Sequence, residues 1–512
     1  MIESAASRQR AGRCYIAGMD PTTPRTSDDD TVPAAVSATV ADSAPPAAPP
    51  AKSRYDRSIV EGPLVPAVWK LAWPTMLQNV IGGLQGIVDH VMVGRYVGYT
   101  GNAAIGVSWQ IFLVVVVFIS SLFTGMSVLV ARFAGAGDHE KVNRTVHQAF
   151  LTAFVLSLGV LAPIGYVLAP SLLTLVNATP EVTAEALPYL RIMFVFSWGL
   201  LIFFMLGGAL RSAGDAQTPL KLGIVATAAN LVLNVILIRG LGPIPAFGTT
   251  GAAMGTVIAM CGIGFYAIWA LYRGRWVVAF PRDSRLRPDW SIIRALFRFG
   301  LPTGVQGIAM NVGGVFLLAY VGSLAQSAAA QAAYTVAYTQ LFSLITWTAV
   351  GLMGAAAAMA GQNLGADKPE RAAQAVEAAG GIAASGAAVV GVPFLLMPRQ
   401  LLSIFGMAEP EVVELGVQLL RVLSLSGIFI AVALTFTGGL QGTGDTRSPL
   451  FISIVSQVVI PLGMCFILNR MGTLDAIDIW LAILIGHMTR CVLSVVRFRQ
   501  GRWREIAVDI GG

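Results

Sequence analysis

GALRSAGDAQTPL (208–220) and GGLQGTGDTRSPL (438–450) are two versions of one phrase, set 230 residues apart. They share a Gly, a Leu, the Gly214-Asp215 and Gly444-Asp445 pairs, and the Pro-Leu that follows at Pro219 and Pro449. A Gly-Asp with Pro a few residues on is loop chemistry, because it ends one helix and starts another. The same offset aligns GAGDHEKVNRTVHQA (135–149) with GADKPERAAQAVEAA (365–379), and Arg191 with Arg421. At almost the same offset, Pro74-Thr75 aligns with Pro302-Thr303. Matches that keep their order along the chain predict two halves of the same topology.

Composition decides what the halves are made of. Of 512 residues, 55% are hydrophobic and only 12% charged, and the mean hydropathy is +0.71. Soluble domains carry about twice that charge, roughly 25%. The run 105–131 holds no charged residue at all, and about 20 apolar residues suffice to cross a bilayer as a helix. Strands of a membrane barrel would alternate apolar and polar instead, so an all-α polytopic membrane protein is expected. Cys14, Cys261, Cys465 and Cys491 are scattered, as are the four histidines, and neither set has metal-ligand spacing. The chain shows no GxxxxGK(S/T) phosphate loop and no GxSxG nucleophile elbow. An ATP-driven pump or a hydrolase within this chain is therefore not expected, and no cofactor or nucleic acid is implied.

Twelve transmembrane helices are predicted near 67–94, 103–131, 146–170, 188–211, 220–240, 249–272, 295–321, 330–360, 373–397, 413–439, 449–469 and 478–497. They divide the chain into a disordered Pro/Ala-rich tail (1–62), an N-lobe (63–272), a basic linker (273–294), a C-lobe (295–497) and a C-terminal tail (498–512). Basic residues crowd the segments on the side of both termini, including Arg273, Arg275, Arg282, Arg285, Arg287 and Arg294 in the linker and Arg298 just beyond it. The opposite side carries only Arg95, Arg191, Arg239, Arg399, Arg421 and Arg470. Positive residues stay inside, so both termini are expected in the cytoplasm. Two parallel six-helix lobes suit a secondary transporter that works by alternating access around a central cavity.

Polar residues inside the spans are the candidate site. In the first span Thr75, Gln78, Asn79, Gly82, Gln85, Gly86 and Asp89 recur at helical spacing and share one face. Asp89 is the one carboxylate deep within a predicted span, and an ionised Asp at mid-bilayer costs about 2.5–3.5 kcal/mol. That cost favours a bound proton or cation, although a helix cap or structural hydrogen bond is the plainer use of the residue. His90 beside it reads as a satisfied neighbour. Asn230 and Asn234 lie one turn apart in the fifth span, either accepting hydrogen bonds or ligating with Asp89, or joining helices. Gln306, Gln331, Tyr334 and Tyr338 offer polar and aromatic surface in the second half, for an amphiphilic cation or for ordinary packing. The mid-span faces are expected to be free of cationic groups.

At these residues the chain resembles the MATE (multidrug and toxic compound extrusion) family over roughly residues 65–500. The likeness rests on AWPTMLQNVIGGLQGIVDHVMVG, on GALRSAGDAQTPL with the NLVLN that follows, on FGTTGAAMGTVIA, and on FGLPTGVQ with GGLQGTGDTRSPL. The resemblance implies two six-helix lobes around a V-shaped cavity in a bacterial plasma membrane, and export of organic, cationic amphiphiles against H⁺ or Na⁺. It places ion coupling on Asp89 with Asn230 and Asn234, and bending at Pro74. Gln78, Gln85, Thr256, Gln306, Tyr334 and Tyr338 are the candidate cavity-lining residues. A monomer is expected. Two departures bear on the ion. DinF-like members tend to carry Asp where this chain has Asn234. NorM-like members carry Asn there but also a Glu in span seven, and GVQGIAMNVGGVF (304–316) holds no acid. Coupling then rests on Asp89, and H⁺ is the expected ion. A flippase of lipid-linked sugars or an exporter of an endogenous metabolite is the alternative, and would be expected to show a cationic cavity.

Overall fold

The computed structural model describes residues 55–176, 178–281 and 287–508, without the side chains of 113–116 and 118–120. Twelve long helices follow one another. The first six are α1 (Leu64–Tyr96), α2 (Tyr99–Gly135), α3 (His139–Leu175), α4 (Pro180–Val195 continued by Ser197–Ser212), α5 (Gln217–Arg239) and α6 (Gly248–Tyr272). The second six are α7 (Trp290–Gly322), α8 (Ser327–Gly365), α9 (Pro369–Leu396), α10 (Pro410–Thr443), α11 (Arg447–Met471) and α12 (Ala476–Arg499). Among the described residues nine of these are long and apolar enough to cross a membrane, and the two parts of α4, bent by 52°, make a tenth. The others are α1 and α2, of 33 and 37 residues. Helix α1 is the less apolar because it carries the polar stripe. Pro74 sits inside α1 without ending it, and α3, α8 and α11 each contain a π-helical turn.

The repeated phrase is one loop built twice. Gly214 and Gly444 close α4 and α10 at φ +101° and +99°, a region that L side chains avoid. Asp215 and Asp445 then cap the next helix: each accepts a backbone N–H three residues on, from Thr218 at 3.0 Å and Ser448 at 3.1 Å. Each also accepts that residue's hydroxyl. Pro219 and Pro449 are buried in the first turns that follow.

The lobes meet along α1, α2, α7 and α8. A Cβ at Gly135 would stand 1.9 Å from the Gln362 carbonyl, and one at Gly365 would stand 2.0 Å from the Arg132 carbonyl. These pairs map onto each other at the 230-residue offset, so the α2–α8 crossing lies on the pseudo-two-fold. Each lobe has its own apolar core, but their beginnings are exchanged. Val68, Leu71 and Ala72 of α1 belong to the C-lobe core, and Ile292, Leu296 and Phe299 of α7 to the N-lobe core.

Three boundaries differ from the sequence reading. Residues 1–54 of the expected tail lie outside the described residues, but 55–62 are built into the fold. Ile59 is fully buried, and its carbonyl accepts from Asn363 and Arg371 of the other lobe, both at 3.3 Å. At the far end, Trp503 is buried, and Ile506 accepts a hydrogen bond from Arg132 of the N-lobe at 3.2 Å. Both ends therefore cross between lobes on the same face. The linker gives way to α7 at Trp290, and before that it packs on α3. Ala279 N–H donates to Asn143 at 2.9 Å, and Arg144 pairs with Asp289 at 2.9 Å. Arg282 and Arg285 lie outside the described residues.

Candidate functional site

Helix α1 turns its stripe into a cavity of about 450 Å³ within the N-lobe, closed by α4, α5, α6 and Trp347 of α8. Gln78, Asn79, Gly82, Gln85, Gly86 and Asp89 all line it, as the spacing predicts. Thr75 does not: it is buried and bonds back to the Leu71 carbonyl at 2.9 Å. Trp109, Tyr189, Phe203 and Phe204 supply aromatic walls.

Asp89 and the asparagine pair come together across α1 and α5. Asn234 Nδ2 donates to Asp89 Oδ1 at 2.7 Å and lies 3.3 Å from Asn230 Oδ1. The Asn230 amide bridges to Thr256 of α6, and turned over it also donates to Asp89 Oδ1 at 3.3 Å. Both asparagines are buried. Asn234 Oδ1 has no partner among the described residues and is pressed against Gly255, where a Cβ would sit 2.1 Å away. Glycine there is what lets α6 approach. His90 is occupied by Asn102, which agrees with its reading as a satisfied neighbour.

Nearer the termini the stripe meets a second cavity, of about 430 Å³, between the lobes. Asn79, Phe204 and Val350 line both. Gln78 accepts from Arg211 Nη1 at 3.0 Å, and Arg211 lines the inter-lobe cavity together with Arg490 of α12. Gln306 is there too, donating to Ser453 at 2.8 Å and accepting from Gln441 at 3.4 Å. The expectation of mid-span faces without cations is thus corrected. Arg490 stands inside a predicted span, where a tally of charges in the loops passes over it.

Tyr334 and Tyr338 are also corrected: they line neither cavity. They stack on each other at 4.9 Å, with Trp480 beyond Tyr334 and Phe342 then His487 beyond Tyr338, in the C-lobe core. Spacing correctly put them on one face, but that face meets α12. Sequence reasoning missed Thr227, whose hydroxyl donates to Gln85 at 2.8 Å. It stands three residues before Asn230, on the same face, so the helical period that found the asparagines could have found it.

The family model MatE matches residues 74–236 and 302–467, both halves of the chain. A protein of Thermotoga maritima called probable multidrug resistance protein NorM is 27% identical over 444 residues, 86% of this chain and 93% of that one. A protein of the same description from Bradyrhizobium diazoefficiens is 28% identical over 444 residues, 84% of this chain and 92% of its own. The solved outward-facing conformation of a multidrug resistance MATE transporter superposes with a TM-score of 0.80 at 23% identity, over 89% of this chain and 98% of that one. At that identity the superposition speaks for the fold.

Proposed function

Because the chain belongs to the MATE family, a transporter family and not an enzymatic one, we propose that it exports small organic molecules by antiport, with Asp89 carrying the coupling proton. The single observation behind this reading is the Asp89–Asn234–Asn230 cluster, which opens from buried amides into a cavity that an organic molecule could enter. The names of the relatives point to multidrug export.

The chemistry runs on the cost of a bare charge. An ionised carboxylate inside a bilayer costs about 2.5–3.5 kcal/mol, and a proton removes it. When Asp89 is ionised, the amide of Asn234 holds it by a charge-assisted hydrogen bond, roughly twice as strong as a neutral one. Protonation weakens that bond and frees α1 from α5. Helix α1 can respond near Pro74, whose ring nitrogen has no hydrogen to give the preceding turn. Aromatic walls beside an ionised Asp89 suit an amphiphilic cation, so that proton and substrate compete for one negative site. Asp89 is the one carboxylate among the residues lining this cavity, so a single proton suffices to remove its charge. Lobes fastened on the face of the termini represent a state closed there. With the basic segments inside, that face is the cytoplasmic one of a bacterial plasma membrane. A monomer holds both lobes and therefore a whole transport unit.

A second reading, export of a lipid-linked or metabolic compound, is favoured by one observation, the two arginines of the inter-lobe cavity. Ethidium transport into energised everted vesicles, the equivalent of efflux from the cell, separates the two. Wild-type efflux is expected to collapse on protonophore and to ignore Na⁺, and Asp89→Asn to abolish it. A wild type that moves no ethidium under either gradient would overturn drug export in favour of the second reading.

A further inference from the structure

Arg490 is 4% exposed, lies in the middle of α12, and makes no hydrogen bond or ion pair with any described residue. Its neighbours Tyr338 and His487 carry no negative charge at neutral pH. Arg211, the other guanidinium of the inter-lobe cavity, is held by the neutral oxygen of Gln78 and lies 5.6 Å over the ring of Phe123. None of the residues lining this cavity is acidic. The seven neighbouring residues whose side chains are not described, within 113–120, include no acid either.

The remaining polar groups point the same way. Ser127, Thr303 and Thr437 line the cavity, and each has a buried hydroxyl without a partner among the described residues. Unpartnered buried polar atoms are rare in folded proteins, and each asks for an explanation. Here they gather around one cavity, they can all donate, and two fixed positive charges stand among them. A buried arginine without a counter-ion is a functional position in a membrane protein, because nothing in packing requires it. An oxyanion supplies what is missing, since carboxylates, sulfonates and phosphates take several N–H and O–H donors at once.

We propose that the inter-lobe cavity is an anion subsite, which holds the carboxylate, sulfonate or phosphate group of an amphiphile between Arg211 and Arg490. The proposal goes beyond the exporter reading and rests on it only in placing the ligand on a transport path. It extends the substrates to organic anions, and to zwitterions whose positive end lies near Asp89 through the continuity at Asn79. The anion has two possible sources, a dissolved organic anion or the headgroup of a membrane lipid.

Two dyes with the same xanthene scaffold and opposite charge provide the test. Fluorescein and rhodamine 6G are titrated against the full-length protein in uncharged detergent, and binding is read by anisotropy. Fluorescein is expected to bind the wild type, to weaken with salt, and to bind Arg490→Gln and Arg211→Gln at least about tenfold more weakly. Arg490→Lys should recover part of the loss, and rhodamine 6G should bind Arg490→Gln no more weakly than it binds the wild type. Size exclusion and thermal unfolding report whether the variants fold. If Arg490→Gln does not, the Arg211→Gln and Arg490→Lys titrations decide. Competition by phosphatidylglycerol would assign the site to a lipid headgroup, and its absence to a free anion; both outcomes support an anion subsite. Fluorescein that fails to bind, or binds the folded glutamine variants as tightly as the wild type, would overturn it. Asp89→Asn should bind fluorescein normally, so failure of the coupling reading and failure of this one are told apart.

Discussion

At the scale of residues, the proposed coupling cluster depends on an atom that is not there. Gly255 leaves Asn234 room to reach Asp89, and Gly255→Ala would put a methyl 2.1 Å from Asn234 Oδ1. The amide must then turn away. We expect efflux to fall about tenfold, in line with one lost charge-assisted hydrogen bond, and stability to drop by about 1–3 kcal/mol from the overpacking. Vesicle efflux and thermal unfolding of the purified variant measure the two. An efflux rate like that of the wild type would detach Asn234 from coupling. The sequence made Asp89, Asn230 and Asn234 legible because helical spacing is a local property of the chain. It did not show what Tyr334 meets, since Trp480 is a neighbour only after α8 and α12 have packed. Nor did it expose Arg490, whose isolation is a matter of which groups are absent around it in space.

At the scale of elements, the twice-built loop holds with unequal strength. Asp445 is 6% exposed and takes Nε and Nη2 of Arg497 at 3.1 and 2.9 Å, as well as capping α11. Asp215 caps α5, and no ion pair to it exists among the described residues. Asp215→Ala should cost about 1 kcal/mol, the worth of a cap. Asp445→Ala should cost about 2–4 kcal/mol, because it also strands a half-buried guanidinium. Thermal unfolding of both variants, side by side, checks the order, and equal losses would mean that the pair with Arg497 adds nothing. The loop itself was readable in six shared residues, down to the glycines that must turn left-handed. Its asymmetry was not, because Arg497 is 52 residues beyond Asp445 and arrives there only with α12.

At the scale of the molecule, two lobes have exchanged their beginnings and cross where Gly135 and Gly365 meet opposing carbonyls. The duplication was plain from the 230-residue offset, since a pseudo-two-fold copies sequence as well as shape. The clasping ends were not, because Ile59, Trp503 and Ile506 stand in short mixed stretches that show no period. Gly365→Leu cannot fit the crossing without separating α2 from α8. Spin labels at Glu140 and Glu370, on this face of the two lobes, should report a longer distance by electron resonance in the variant than in the wild type. An unchanged distance would mean that the crossing is not what keeps this face shut. The clasping ends carry a consequence for anyone handling the protein. Val508 rests with Ile506 on Gly444, and Arg371 donates to the carbonyls of Ile59 and Gly62. A reporter or affinity handle joined close to Val508 or to Tyr55 is therefore attached to parts that would have to let go in the proposed exchange of sides, and turnover measured on such a fusion would partly measure the attachment.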